Sequence, residues 1–320
     1  MELKLISKYR SELMAIAMIW VAFYHSYFPF NNKLINFVLT TCGYGGVSLF
    51  VFLSCYGLYY AYKKDNNYWH FIKRRLFRIL PYSIPMGFIR ALVYGDNILY
   101  GLVDGFGLSM FFRHGLVYWF TFFILVLYFL APLYLRYFNK KPYMVTIIGI
   151  FVVTLFCLLK NNGEFTYIWF NMAIGFLGFY FAYLSDLNVK VKWYVMVVFF
   201  IFGWVMMYYM YHYFGNDVKH IYPMFFIVPS MLMICASILD RCHIKTNILK
   251  KMGTYTYQHY LIHEMVVYIL YKYYAYLYVS GIGFDYQINI WAFIIAFILS
   301  VLYKKIIDLL IINRKEIKNT

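Results

Sequence analysis

The stretch LMAIAMIWVAFYHSYFPF, Leu13 to Phe30, decides the fold. From Leu13 to Tyr24 it holds no charged residue, and polar Asn31-Asn32-Lys33 follow it. No small-residue cleavage site closes it, so it reads as a retained membrane span and not as a cleaved signal peptide. Runs of the same kind recur along the chain, punctuated by polar and basic segments. Span 1 covers Ser11–Phe28, span 2 Gly43–Tyr62, span 3 Ile79–Tyr94, span 4 Leu116–Leu135 and span 5 Tyr143–Leu159. Span 6 covers Phe165–Leu184, span 7 Trp193–Tyr213, span 8 Ile221–Leu239, span 9 Tyr255–Val279 and span 10 Ile288–Leu310. A basic segment, Lys63 to Arg78, precedes span 3. A glycine-spotted loop, Gly95 to Gly115, follows it and is a candidate to dip into the membrane.

The composition agrees. Hydrophobic residues make up 64% of the 320 positions and charged residues 13%, whereas a soluble domain is about half apolar and a quarter charged. Such a chain is too apolar to cover a soluble surface and too apolar to be disordered. Helices satisfy their own backbone in lipid, so an all-α polytopic bundle of about ten transmembrane helices is expected. The runs are continuous, without the polar alternation of a membrane β-barrel. One transmembrane domain, residues 1–320 with no soluble domain, is the expected organisation.

The net charge of +16 would suggest nucleic acid in a soluble protein. Laid over alternating spans, however, 23 of the 29 Lys and Arg residues fall on one side and 6 on the other. That asymmetry places both termini in the cytoplasm and makes the bilayer, not nucleic acid, the partner of the charge. Cys42, Cys55, Cys157, Cys235 and Cys242 have no paired spacing and mostly sit in apolar runs, so they read as small apolar residues, not disulfides or metal ligands. Aromatics reach 24%, many near span ends, as interfacial belts do.

Ionisable groups inside spans are costly and are therefore candidates for function. His25 lies 14 residues after Ser11, about 21 Å along a helix, beyond the midplane toward the outer side. A histidine there can exchange a proton near neutral pH; a hydrogen-bonded packing role is the alternative. In Phe71-Ile-Lys-Arg-Arg-Leu-Phe-Arg-Ile-Leu-Pro81, Arg75 and Arg78 share a helix face with Arg74 beside them. Their forked donors suit phosphate, and an ordinary positive-inside anchor is the plainer reading. His259 and His263 are one turn apart, but no third ligand accompanies them, so no metal is expected. His263 can instead bond between helices or line a pocket, and Glu264 beside it needs a partner or water. Tyr118-Trp119, after Arg113-His114, opens span 4 either as an interfacial anchor or as part of a site.

Five landmarks resemble the integral-membrane acyltransferase family 3. They are Arg10-Ser-Glu12-Leu with His25, Leu49-Phe-Val-Phe-Leu-Ser54-Cys-Tyr-Gly57, Arg74-Arg75-Leu-Phe-Arg78-Ile-Leu-Pro81, Tyr118-Trp119-Phe with Tyr128-Phe-Leu-Ala-Pro132, and Tyr260-Leu-Ile-His263. They occur in family order across essentially the whole chain. The resemblance implies an O-acyltransferase of the bacterial inner or plasma membrane. It would move an acyl group, most often acetyl from cytosolic acetyl-CoA, to a hydroxyl of an extracytoplasmic or cell-surface carbohydrate. His25 would be its essential histidine, with Arg75, Arg78 and Arg74 holding the donor. Arg10, Glu12, Ser54, Tyr118, Trp119 and His263 would support the site, and a homo-oligomer is left open. Many family members carry an arginine eleven residues before the histidine; here that position is Met14, and Arg10 lies one turn earlier. Two other classes compete. A glycan transporter or flippase would need no acyl donor, and a non-catalytic partner of a polysaccharide-assembly complex would tolerate loss of His25.

Overall fold

The computed structural model describes residues 1–25, 33–112, 118–160, 163–214, 221–242, 246–278 and 287–317; for some of these, His25 among them, the description covers the backbone alone. Helices account for nearly all of it: α1 Lys4–Lys8, α2 Arg10–His25, α3 Lys33–Lys64, α4 Tyr68–Tyr94, α5 Tyr100–Gly105, α6 Ser109–Phe112 and α7 Trp119–Phe138. They continue as α8 Pro142–Lys160, α9 Gly163–Asp186, α10 Trp193–Phe214, α11 Met224–Arg241, α12 Asn247–Gly253, α13 Thr256–Tyr278 and α14 Gln287–Ile317. No strand is present among the described residues; a single bridge joins Glu2 to Lys190.

Seven helices are, among the described residues, long and apolar enough to cross a membrane: α3, α4 and α7 to α11. They coincide with expected spans 2 to 8. Helices α2, α13 and α14, the expected spans 1, 9 and 10, are not among the seven. The described part of α2 is 16 residues long, and α13 carries His259, His263, Glu264 and Lys272 within 23 residues. Helices α8 and α10 leave most of their apolar surface uncovered, with Phe151 and Val198 exposed on them. Lipid-facing helices tolerate this, whereas on a soluble protein it would form large sticky patches.

Lys63 and Lys64 of the basic segment end α3, and from Tyr68 to Arg78 it forms the first turns of α4. Asp65-Asn66-Asn67 starts the helix: the Asn67 side-chain oxygen accepts the His70 N–H at 3.0 Å, as an N-cap does. Phe71, Ile72 and Ile79 are buried while Lys73, Arg74 and Arg78 are exposed, so the segment is amphipathic and continues helically through its charges. Pro81 and Pro85 lie inside α4. At its end Gly95, at φ +71, closes a Schellman motif, with Asp96 N–H donating to the Ala91 carbonyl at 2.8 Å and Gly95 N–H to the Leu92 carbonyl.

The chain falls into two compact units. The first comprises Met1–Val21, Thr41–Lys73 and Ile124–Gly253. Within it α8 packs on α9 and α10 on α11. Ser48 donates to Asn171 at 2.9 Å and Tyr56 to Ser185 at 2.8 Å, tying α3 to α9 through fully buried groups. Leu3 and Ile6 are buried, and Lys8 pairs with Asp240 at 2.6 Å. Lys190 holds the Glu2 carboxyl below its usual value by a hydrogen bond and by its charge. The second unit comprises Ala22–Thr40, Arg74–Phe123 and Thr254–Thr320. Its core gathers Tyr82, Met86, Tyr118, Leu261, Ile262 and Met265 with α14 residues such as Ala292 and Ala296. The glycine-spotted loop holds the short helices α5 and α6, and it packs on α4 through facing glycines. A side chain at Gly87 would meet the Gly105 backbone nitrogen at 2.6 Å, and one at Gly105 the Ile84 Cα at 2.8 Å.

Candidate active site

The first unit holds Arg10, Glu12 and Ser54. The Arg10 Nε donates to the Leu53 carbonyl at 3.0 Å. Its guanidinium lies where Gly57 lacks a side chain, so that a Cβ there would stand 2.8 Å from Arg10 Cζ. Arg10 is therefore laid across the Leu53–Gly57 turn of α3, next to half-buried Ser54. Glu12 is 4% exposed and accepts a hydrogen bond from Thr246 Oγ1 at 2.9 Å. Arg10 and Glu12 thus serve different neighbours, α3 and the start of α12.

In the second unit His25 closes α2, and its side chain lies outside the described residues. Arg74 and Arg78 are exposed on α4, four residues apart, and Arg75 is half-buried. The exposed pair is therefore Arg74 with Arg78, and both stand one turn apart on one face. Arg113 and His114 lie outside the described residues.

Tyr118 and Trp119 stand where α7 begins, and Tyr118 packs against α13, the helix that carries His263. Tyr118 adopts φ +49, a conformation that bulky side chains rarely take. It is 1% exposed, and its hydroxyl donates to the Leu261 carbonyl at 2.8 Å. Two further tyrosines of α13 finish the start of α7. The Phe120 N–H donates to the Tyr260 hydroxyl at 3.2 Å, and the Tyr257 and Thr121 hydroxyls are bonded at 3.2 Å. These contacts satisfy groups that a helix leaves open in its first turn. The half-buried Trp119 ring stands edge-on to Phe120 and Phe123.

His263 Nδ1 lies 3.0 Å from the Tyr260 carbonyl and 3.2 Å from the His259 carbonyl. A carbonyl only accepts, so Nδ1 carries the proton and Nε2 is the basic nitrogen of the neutral ring. The His259 and His263 rings are stacked at 5.5 Å and 4°. They do not converge on a common point, and no metal-binding group of three His, Cys, Asp or Glu exists among the described residues.

One polar cluster escaped the sequence reading. Arg90 bonds Asp104 at 2.8 Å with both side chains buried, and Asp96 lies 3.6 Å from the same nitrogen. Ser109 donates to the other Asp104 oxygen. The Arg90 guanidinium lies 4.2 Å from the centre of the Tyr94 ring, and Tyr94 stacks on Tyr268 at 4.0 Å. In the count of basic residues Arg90 is one of the six on the less basic side. An arginine in a span calls for a carboxylate partner, and the nearest two in sequence are the ones it meets.

The helical architecture, the seven apolar helices and the uncovered apolar faces define a multi-pass membrane protein. Residues 13–303 match the acyltransferase domain that defines acyltransferase family 3, and the chain belongs to that family. It is accordingly a membrane acyltransferase. No curated protein and no solved structure matches the chain.

Proposed function

We propose that the protein transfers an acetyl group from cytosolic acetyl-CoA, across the membrane, to a hydroxyl of an extracytoplasmic or cell-surface carbohydrate. The observation that carries this reading is the family match over residues 13–303, which takes in His25, Arg74, Arg75 and Arg78 and runs through both units. It supports a single transmembrane acyltransferase domain. Helix α14 adds support for a tenth span: from Gln287 to Tyr303 it carries no charged residue. In this reading ten spans place both termini in the cytoplasm of a bacterial inner or plasma membrane, with the basic start of α4 at the inner face.

Arg74, Arg75 and Arg78 hold the donor's phosphates there, and the pantetheine arm carries the thioester toward His25. A ring nitrogen of His25 takes the proton of the acceptor hydroxyl as its oxygen bonds to the thioester carbonyl carbon. The C–S bond then breaks, and the imidazolium returns the proton to the thiolate, leaving an ester and free CoA. A hydroxyl donor stabilises the developing oxyanion. Transfer through an acyl-histidine is the variant of the same chemistry in which His25 itself is acylated first.

The test is gene deletion followed by mass spectrometry of the surface polysaccharide. Loss of one acetyl mass per modified repeat, restored by the wild-type gene and not by a His25→Ala gene, is expected. An unchanged acetylation pattern in the deletion strain overturns the reading. Membranes that move radiolabelled glycan without acetyl-CoA would instead point to a transporter.

A further inference from the structure

Helix α13 presents two polar faces. His259 and His263 lie on one, with His259 5.0 Å from the Phe293 ring of α14. Tyr257, Tyr260, Glu264 and Tyr268 recur at three- and four-residue spacing along the other. That second face does not look out to lipid. Tyr257 meets Thr121, the Tyr260 hydroxyl accepts the Phe120 N–H, and Tyr268 stacks on Tyr94. Glu264 stands between Tyr260 and Tyr268, one turn from each, yet it is exposed where both of them are half-buried. A carboxylate turned into hydrocarbon is expensive. Glu264 is flanked on its own face by residues packed against α4 and α7.

We infer that Glu264 lines a water-accessible recess of the second unit and that this recess binds the sugar acceptor, Glu264 accepting hydrogen bonds from its hydroxyls. The inference rests on the glycan-acyltransferase reading above. Its wall is a fixed column: Arg90 over Tyr94, Tyr94 on Tyr268, and Lys272 5.9 Å from the Tyr268 ring centre. Asp104 and Asp96 hold the Arg90 end. A carboxylate accepts from two hydroxyls at once, and phenols both donate and accept. Arg90 is matched by two aspartates, and Lys272 lies eight residues, about 12 Å along the helix, from Glu264, so at its own carboxylate Glu264 sets the selectivity. A neutral or amino sugar is accepted, and a uronic or phosphorylated sugar meets like charge.

The experiment uses the full-length protein in native membrane vesicles with radiolabelled acetyl-CoA. The acceptor is surface polysaccharide of the source cells, stripped of its esters with mild alkali. Glu264→Gln, which keeps the side-chain shape, should raise the acceptor KM by about ten- to a hundredfold, as loss of one charge-assisted hydrogen bond does. The KM for acetyl-CoA stays unchanged. Glu264→Asp should recover part of the loss. On polysaccharide whose primary hydroxyls have been oxidised to carboxylates, wild type should fail and Glu264→Gln should gain relative activity. Equal yield and equal elution in detergent show that the variants fold. An unchanged acceptor KM, or a fall in kcat with KM unchanged, overturns the inference while wild-type transfer leaves the parent reading standing. A wild type that transfers nothing from acetyl-CoA overturns both.

Discussion

Arg10 and His25 sit on one helix and make different demands on it. Arg10 is bound to the Leu53 carbonyl and packed into the space over Gly57. Arg10→Ala should therefore lower the stability of the detergent-extracted protein by about 1–3 kcal/mol, read as an earlier thermal midpoint, with the KM for acetyl-CoA unchanged. A raised KM at unchanged stability would assign Arg10 to the donor instead. His25→Ala should cut acetyl transfer by about 10²–10⁴-fold with no loss of protein from the membrane, and near-normal transfer by that variant would remove His25 from the chemistry. His25 was legible because an ionisable side chain after twelve uncharged residues stands out in any sequence. The partners of Arg10 and Glu12 were not. Thr246 lies 234 positions from Glu12, and which residue meets a given carboxylate is decided by how helices pack, not by local pattern.

At the scale of elements, the sequence marked most helices by their apolar runs and read Arg75 and Arg78 on one helix face, but it began the third span at Ile79. The helix itself begins at Tyr68, and Phe71, Ile72 and Ile79 keep a buried face turning beneath its charges. The α4–α5 contact was partly legible as a glycine-spotted loop, though not the buried ion pair that closes it. Those two features make separate predictions. At Gly87 a Cβ meets backbone, which cannot rotate away, so Gly87→Ala should destabilise the protein by about 1–3 kcal/mol, the usual cost of overpacking. Asp104→Ala leaves Arg90 buried with Asp96 alone and should cost about 3–5 kcal/mol. Replacing both partners, Arg90→Met with Asp104→Leu, should recover part of that loss, because it removes the buried pair together and leaves only the more exposed Asp96 without Arg90. Thermal unfolding of wild type, Arg90→Met, Asp104→Leu and the double variant in one detergent gives the coupling directly. Additive losses would mean that the pair does not act as a unit.

For the molecule as a whole, the deciding quantity is the parity of the crossings. Seven crossings would leave the termini on opposite faces of the membrane, and ten put them on the same face. The bias of 23 basic residues to 6 was obtained with ten, and it depends on α2, α13 and α14 crossing in addition to the other seven. Within α13, the histidines and Glu264 lower the apolar character; the histidines are buried, His259 beside Phe293 of α14, where a span can carry polar groups without meeting lipid. Green fluorescent protein, which folds only in the cytoplasm, should therefore fluoresce when fused to either terminus. Alkaline phosphatase, active only outside, should be active when joined after Asn97 or after Tyr278 and inactive after Asn139 or Asn188. A dark N-terminal fusion would mean that α2 stays on one side. An inactive enzyme after Tyr278, with the other three fusions as expected, would mean that α13 enters and returns without crossing, and Glu264 could then not face an acceptor arriving from outside.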